Sequence, residues 1–167
     1  IEPIKSNFND LQKSYKKFKF VKLENVAISV NNEINFLYKV NEKFLNFYDS
    51  HVPGITSFNK NHLINHGISS KHISKEVVKS SSIKEVIFKY KLTKLDLLFI
   101  DTEGYDGKIV LDFLKNKIFN PIIIFEFIHI DNMLFENVIK KLSSSKYKFF
   151  SINENMICLP NKKFFKI

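Results

Sequence analysis

The sequence predicts an α/β fold with an open, mostly parallel sheet and an antiparallel edge at its C-terminal end. Two apolar segments, 95–100 and 121–126, carry this prediction, and each is followed by a stretch with helical periodicity. Strands that are apolar on both faces are typical of a parallel sheet covered by helices on each side. The segments 148–153 and 155–159 then predict an antiparallel hairpin. Strand, helix, strand, helix and hairpin is the order expected of an open α/β sheet.

The N-terminal part predicts one helix followed by strands. Apolar residues recur at steps of three and four along 7–18, which indicates one face of a helix, with Ser6 or Asn7 as its N-cap. Residues 20–28 predict a strand in which Phe20 faces inward. Two further strands are predicted at 34–40 and 73–78.

Three helices are predicted in the C-terminal half from apolar residues spaced three and four apart. The first covers 83–90 and is entered from Ser81 or Ser82. The apolar faces of the next two comprise Ile109, Val110, Phe113 and Leu114 in one helix, and Leu134, Val138 and Leu142 in the other.

Residues 41–72 lack a regular period and hold four of the five histidines of the chain. A segment of this length without a pattern is usually functional or mobile. The spacing of His62 and His66 would suit a metal ion if both lay on one helix. Gly67 and the asparagine-rich surroundings instead favour a loop with solvated histidines, so no metal site is predicted.

The composition is that of one globular domain. The chain has 167 residues, of which 44% are hydrophobic, and a single cysteine, Cys158. One cysteine excludes a disulfide framework and a cysteine-based zinc site, and it fits a reducing, cytoplasmic setting. No apolar run reaches the length of a membrane span, and the N-terminus lacks the features of a secretory signal.

The charge is strongly basic, with a formal net value of +9. All 26 basic residues are lysines, whereas arginine is better suited to bidentate recognition of phosphate and guanine. The lysines are spread along the chain, and the densest group lies at 13–19. This pattern favours a solvated basic surface and disfavours nucleic acid as a partner.

Acidic side chains follow both predicted parallel strands. The first strand continues into Asp101 and Glu103, and the second ends at Glu126, with His129 three residues later. Because ligands of open α/β sheets bind beyond the carboxyl ends of the strands, we expect these four side chains to share one rim. Three of these residues also have a purely structural interpretation: Asp101 as a helix N-cap, Glu126 bonded to a loop amide, and His129 as an ordinary histidine. Gly104 between them could simply supply an unusual backbone angle.

Several segments resemble the FkbM family of S-adenosylmethionine-dependent methyltransferases. Residues 99–106 (FIDTEGYD) are similar to the family signature, in which a strand ends in Ile-Asp-x-Glu-Gly, and 121–126 resemble the proline-led strand that ends in Glu. Upstream, 1–8 resemble the end of the family's second strand and the helix after it, 26–29 its third strand, and 53–58 a loop near the acceptor. The ordered set is more specific than any single segment.

The resemblance implies a Rossmann-like class I methyltransferase sheet. The family's first strand and its glycine-rich turn would precede Ile1, so residues 1–167 are expected to form a single but partial, N-terminally truncated methyltransferase domain. On this basis we expect the chain alone to be poorly stable and to bind cofactor weakly. Asp106-Gly107 departs from the family pattern, and the glycine is expected to weaken the start of a helix.

The same resemblance implies S-adenosylmethionine as the cofactor and an acceptor hydroxyl on a sugar, glycan or other small metabolite. A base must take the proton of that hydroxyl, and the catalytic candidates are Asp101 and Glu103 for positioning and Glu126 or His129 for the proton. The expected cofactor-binding residues are Glu2 at the ribose, Asn25, Val26 and Ala27 at the adenine, and Asp101. The expected acceptor-side residues are Ser57, Phe58 and Tyr105.

A second interpretation stays open at this point. The chain could be a catalytically inert basic α/β remnant, or a binding module for an anionic polymer, whose binding would weaken steeply with salt. The oligomeric state is not determined by the sequence.

Overall fold

The computed structural model describes residues 1–30, 36–116 and 118–161, and it includes the side chains of these residues apart from that of Pro53. The chain divides into two compact units, Ile1–Ser82 and Ile83–Ile167. We call them unit 1 and unit 2 and describe each by itself.

The described residues of unit 1 form two short two-stranded sheets and two α-helices. The strands β1 (Ala27–Ile28) and β4 (Ser80–Ser81) pair in parallel, and β2 (Phe36–Val40) and β3 (Ile73–Val77) pair antiparallel. The helices are α1 (Lys5–Tyr15) and α2 (Lys60–Asn65), and 3-10 turns cover Glu42–Phe47, Val52–Gly54 and Ser70–His72. An apolar core lies between β2 and α2 and consists of Val40, Val52, Ile55, Leu63 and Ile68.

The structure corrects two boundaries near the N-terminus. Helix α1 begins at Lys5 behind Ile4, whose side chain makes no capping hydrogen bond, so the predicted caps Ser6 and Asn7 lie inside the helix. The predicted strand at 20–28 is reduced to β1, and Phe20 is exposed. Only the last two residues of that segment find a partner strand, because β4 is itself two residues long.

The irregular segment 41–72 is more regular than the sequence indicated. Helix α2 forms within it, begins behind the side-chain cap of Asn59, and contains His62, with His66 at its C-cap. The prediction of a loop was therefore wrong at His62, whereas His66 lies in the turn that ends the helix. The strand predicted at 34–40 is found from Phe36 onward, and its first two residues lie outside the described residues.

In the part of unit 2 that the structure describes there are one four-stranded sheet and three helices. Its strands are β5 (Leu97–Ile100), β6 (Ile122–Glu126), β7 (Tyr147–Ile152) and β8 (Asn155–Pro160), in the spatial order β5-β6-β8-β7. β5 and β6 are parallel, and β8 is antiparallel to both β6 and β7. The helices are α3 (Ile83–Lys89), α4 (Asp106–Asn116) and α5 (Asn132–Ser144). The predicted helices and the C-terminal hairpin are confirmed, and the protein is a mixed α/β structure.

Strand β5 differs from the buried central strand that its apolar sequence predicted. Leu98 and Ile100 are buried, but Leu97 and Phe99 on the other face are 49% and 59% exposed. Within the described residues β5 has one neighbouring strand and β6 has two. The side chains of β5 therefore lack the flanking cover that β6 receives, and its apolar run does not indicate burial on both faces.

Helices α4 and α5 approach closely at Gly107. A Cβ added there would lie 3.1 Å from Leu134 and 3.2 Å from Ile130. The glycine that was expected only to weaken the start of α4 thus makes room for α5. No helix among the described residues is long and apolar enough to cross a membrane.

Candidate functional site

The carboxyl ends of β5 and β6 lie side by side in unit 2. The two strands are parallel, and Ile100 is the register partner of Phe125. The next residues along the chain, Asp101 and Glu126, therefore lie at the same edge of the sheet, as the sequence predicted. We call this edge, with the loops that follow the two strands, the carboxylate rim.

A buried carboxylate closes the loop after β5. Asp106 is the first residue of α4 and is fully buried. Its Oδ2 accepts hydrogen bonds from the Thr102 backbone N–H at 3.2 Å and from the Thr102 Oγ1 at 2.7 Å. Because these bonds span residues i and i+4, they hold the loop in a tight turn and direct the intervening residues toward the rim.

Two consecutive residues of this turn have left-handed backbone. Glu103 has φ +52° and Gly104 has φ +99°. Glycine adopts such angles at no steric cost, whereas a residue with a side chain is strained there. A Cβ at Gly104 would lie 3.1 Å from the carbonyl oxygen of His129. The glycine therefore supplies both the angle and the space that bring the loop after β5 against the loop after β6.

His129 lies between two of the acids. Its Nε2 is 3.8 Å from Glu103 Oε2 and 3.9 Å from Glu126 Oε2. The hairpin turn between β7 and β8 also reaches the rim, because the Phe127 N–H donates to the Glu154 carbonyl oxygen at 3.0 Å. Of the four residues predicted to share this rim, Glu103 and Glu126 thus each lie within 4 Å of His129.

Burial and crowding raise the pKa of Glu126 to about 7. Its side chain is 15% exposed, and burial is the largest cause because it penalises the charged form. The neighbouring negative charges add to this, in the order Glu103, Asp101, Asp106 and Glu154. The carboxyl is therefore poised to exchange a proton near neutral pH.

The pKa values of two other acids are also raised. For Asp101 the causes are burial and then the charges of Asp106 and Glu103, which outweigh the opposing effect of His129. For Asp106 burial raises the pKa against the hydrogen bonds from Thr102, which lower it. Burial is the first cause for both, and the crowding of like charges adds to it at Asp101.

The structure places the predicted adenosine-binding residues in unit 1. Glu2 is half-buried, and its Oε1 accepts a hydrogen bond from the Ile4 N–H at 2.7 Å. The Asn25 Nδ2 donates to the carbonyl oxygens of Glu2 and Pro3, both at 2.9 Å, so Glu2 and Asn25 are neighbours. Val26 is half-buried and Ala27 is buried at the start of β1.

Two of the three predicted acceptor-side residues are buried. Ser57 is buried, its backbone pairs with Tyr38 at 2.7 and 3.1 Å, and its Oγ accepts from the Asn59 N–H. Phe58 is half-buried. Tyr105 is buried in unit 2. Their roles stay predictions.

Sequence reasoning missed three residues of the rim: Thr102, Asp106 and Glu154. For Asp106 the sequence contained a local signal of this role, because Asp106 lies four residues after Thr102 across a turn that contains Gly104. Glu154 had none, because its approach depends on the pairing of β8 with β6.

The family model described as "Methyltransferase FkbM domain" matches residues 1–149. Neither the curated proteins nor the solved structures gave a match to this chain.

Proposed function

This chain belongs to the FkbM methyltransferase family, and we propose that it transfers the methyl group of S-adenosylmethionine to a hydroxyl of a sugar, glycan or other small metabolite. The observation that carries the proposal is Glu126, a mostly buried carboxyl with a pKa near 7 on the carboxylate rim. The parallel pair β5–β6 and the antiparallel hairpin support a Rossmann-like sheet as the frame of this site.

Glu126 is proposed as the general base. A hydroxyl must lose its proton as it attacks the methyl carbon, and a base with a pKa near the working pH does this best. Glu126 satisfies that condition, whereas an ordinary glutamate would be too weak a base. His129 is the alternative, since its Nε2 lies 3.9 Å from Glu126 Oε2 and could share the proton.

The rim fits a cationic cofactor. Glu126 Oε2 is a buried oxygen without a hydrogen-bond partner among the described residues, with His129 Nε2 at 3.9 Å, and a buried carboxylate oxygen favours a nearby positive charge. S-adenosylmethionine, when bound, supplies the methyl group from a positively charged sulfonium. Asp101 and Glu103 are proposed to position it. Glu2, Asn25, Val26 and Ala27 stay proposed for its adenosine part, on the family resemblance.

The test compares Glu126→Gln with the unaltered chain. Both are incubated with methyl-labelled S-adenosylmethionine and a panel of simple sugars and glycosides, and the S-adenosylhomocysteine released is measured. We expect the substitution to lower transfer about 10²–10⁴-fold, a larger factor than the loss of cofactor binding measured by calorimetry. Glu136→Gln is the matched control, because Glu136 lies exposed on α5 beside Lys140.

The pH dependence gives a second readout. The base acts as the carboxylate, so transfer by the unaltered chain should fall as the pH drops through about 7, and this decline should be missing in Glu126→Gln. Full activity of Glu126→Gln would show that Glu126 is not the general base. No cofactor binding and no transfer by the unaltered chain would instead favour an inert binding module.

A further inference from the structure

A basic and aromatic surface lies at the C-terminal end of α1 in unit 1. We call residues 13–22 the α1 surface. Its lysines are Lys13, Lys16, Lys17, Lys19 and Lys22, and its rings are Tyr15, Phe18 and Phe20. No acidic residue occurs between Leu11 and Leu23, so this part of the chain concentrates positive charge beside apolar rings.

The rings form one exposed ridge. Tyr15 and Phe18 have ring centroids 5.9 Å apart with a tilt of 57°, and Phe18 and Phe20 are 5.9 Å apart and nearly perpendicular. The three residues are 42%, 48% and 82% exposed. Exposed aromatic rings in contact with one another form an apolar patch, which marks an interaction site more strongly than rings scattered singly.

The lysines lie beside this ridge, and most of them have no acidic partner among the described residues. Lys13, Lys16 and Lys19 line one shallow concavity together with Tyr15 and Phe18. Lys13 is paired with Asp10 at 2.6 Å. The other four lysines make no ion pair with any residue that the structure describes, unlike Lys39, Lys94 and Lys140, each of which has an acidic partner.

We propose that the α1 surface binds an anionic lipid bilayer. Lysines next to an anionic surface are attracted to its phosphate groups, and a cluster of four or more is the number that such recognition uses. Aromatic rings prefer the boundary between headgroups and acyl chains. The inference goes beyond the proposed methyl transfer and does not depend on it.

Two features favour lipid over nucleic acid as the partner. The surface has no arginine, which is the residue used for bidentate contacts to phosphate and guanine. Its rings are tilted against one another, and Phe18 and Phe20 meet edge to face, so they do not form the parallel flat platforms on which successive bases stack.

The test is cosedimentation of the full chain with vesicles of phosphatidylcholine, with and without phosphatidylserine, at low and high salt. We expect binding only to the phosphatidylserine vesicles, weakened by salt. Lys16→Gln with Lys19→Gln should lower the partition coefficient about 30-fold, roughly 5-fold for each lysine. Phe20→Ala should also weaken binding. Lys115→Gln with Lys148→Gln removes the same charge from exposed positions in unit 2 and should have a small effect.

Three results would overturn the proposal. The first is equal loss of binding in the two double variants, because net charge alone would then explain the effect. The second is unchanged binding by Phe20→Ala, because the rings would then have no role. The third is retention of a single-stranded RNA oligonucleotide under conditions in which the phosphatidylserine vesicles are not bound. All five substituted positions are exposed, so we expect each variant to fold, and an unchanged thermal melt checks this.

Discussion

Two left-handed residues, Glu103 and Gly104, set the geometry of the carboxylate rim. They turn the chain after β5 so that its backbone meets the carbonyl oxygen of His129. Glu103 is strained at this angle, whereas Gly104 is not; such strain persists where the surrounding structure holds it in place, and it is concentrated at functional sites. Here Asp106 holds the turn through its two hydrogen bonds with Thr102. A few backbone angles thus bring the acids of two loops together.

Gly104→Ala should therefore destabilise the protein by about 1–3 kcal/mol, because both the backbone angle and the close carbonyl oppose a Cβ. Gly67 has φ +79° but open space around it, so Gly67→Ala should cost about 1 kcal/mol. Gly54→Ala, with neither constraint, should change stability by less than about 0.5 kcal/mol. Urea unfolding measures all three. Equal values for Gly104→Ala and Gly67→Ala would show that the approach to His129 costs nothing.

Strands β5 and β6 have nearly the same apolar composition but different environments. On β6, Ile123 and Phe125 have no exposed surface, because the strand lies between β5 and β8. On β5, the side chain of Phe99 is more than half exposed. Position within the sheet, and not the residue type, decides how much each strand contributes to stability.

Truncating the two phenylalanines should separate these environments. Phe125→Ala removes a fully buried ring and should cost about 3–5 kcal/mol. Phe99→Ala removes an exposed ring and should cost less than about 1 kcal/mol. Thermal or urea unfolding compares the two variants in the same chain. A cost for Phe99→Ala close to that of Phe125→Ala would mean that this face of β5 is covered in solution.

At the scale of the whole molecule, a local cluster of acids and a local cluster of lysines lie in different units. The five carboxyl groups of the carboxylate rim, those of Glu126 and its four acidic neighbours, lie in unit 2. The lysines of the α1 surface lie in unit 1, in a chain of net charge +9. The division into units also places the single cysteine, Cys158, inside the sheet of unit 2, where β8 pairs with both β6 and β7. The rate at which a reagent labels that thiol therefore measures the unfolding of unit 2 around β8.

Cys158 should be unreactive in the native protein. Burial raises its pKa to about 12, so only about one thiol in 10⁴ is ionised at pH 8, and no solvent reaches it. A thiol reagent should label it within minutes in denaturant and much more slowly without it. Ser151→Cys in a Cys158→Ser background is the control, since residue 151 is exposed on β7 and should react at once. Fast native labelling of Cys158 would contradict the packing of β8.

The sequence by itself determined the helices α3, α4 and α5, the strand β6, the C-terminal hairpin, the family, and the candidate acids that follow β5 and β6. Periodicity reports which faces of a local element avoid water, and a motif reports residues that are close along the chain. The tertiary structure alone decided that one face of β5 and the ring of Phe20 are exposed, and that Glu154 approaches Glu126. It also decided how far burial raises the pKa of Glu126. These properties depend on strand order and on the charges of residues distant in the chain, which no local pattern encodes.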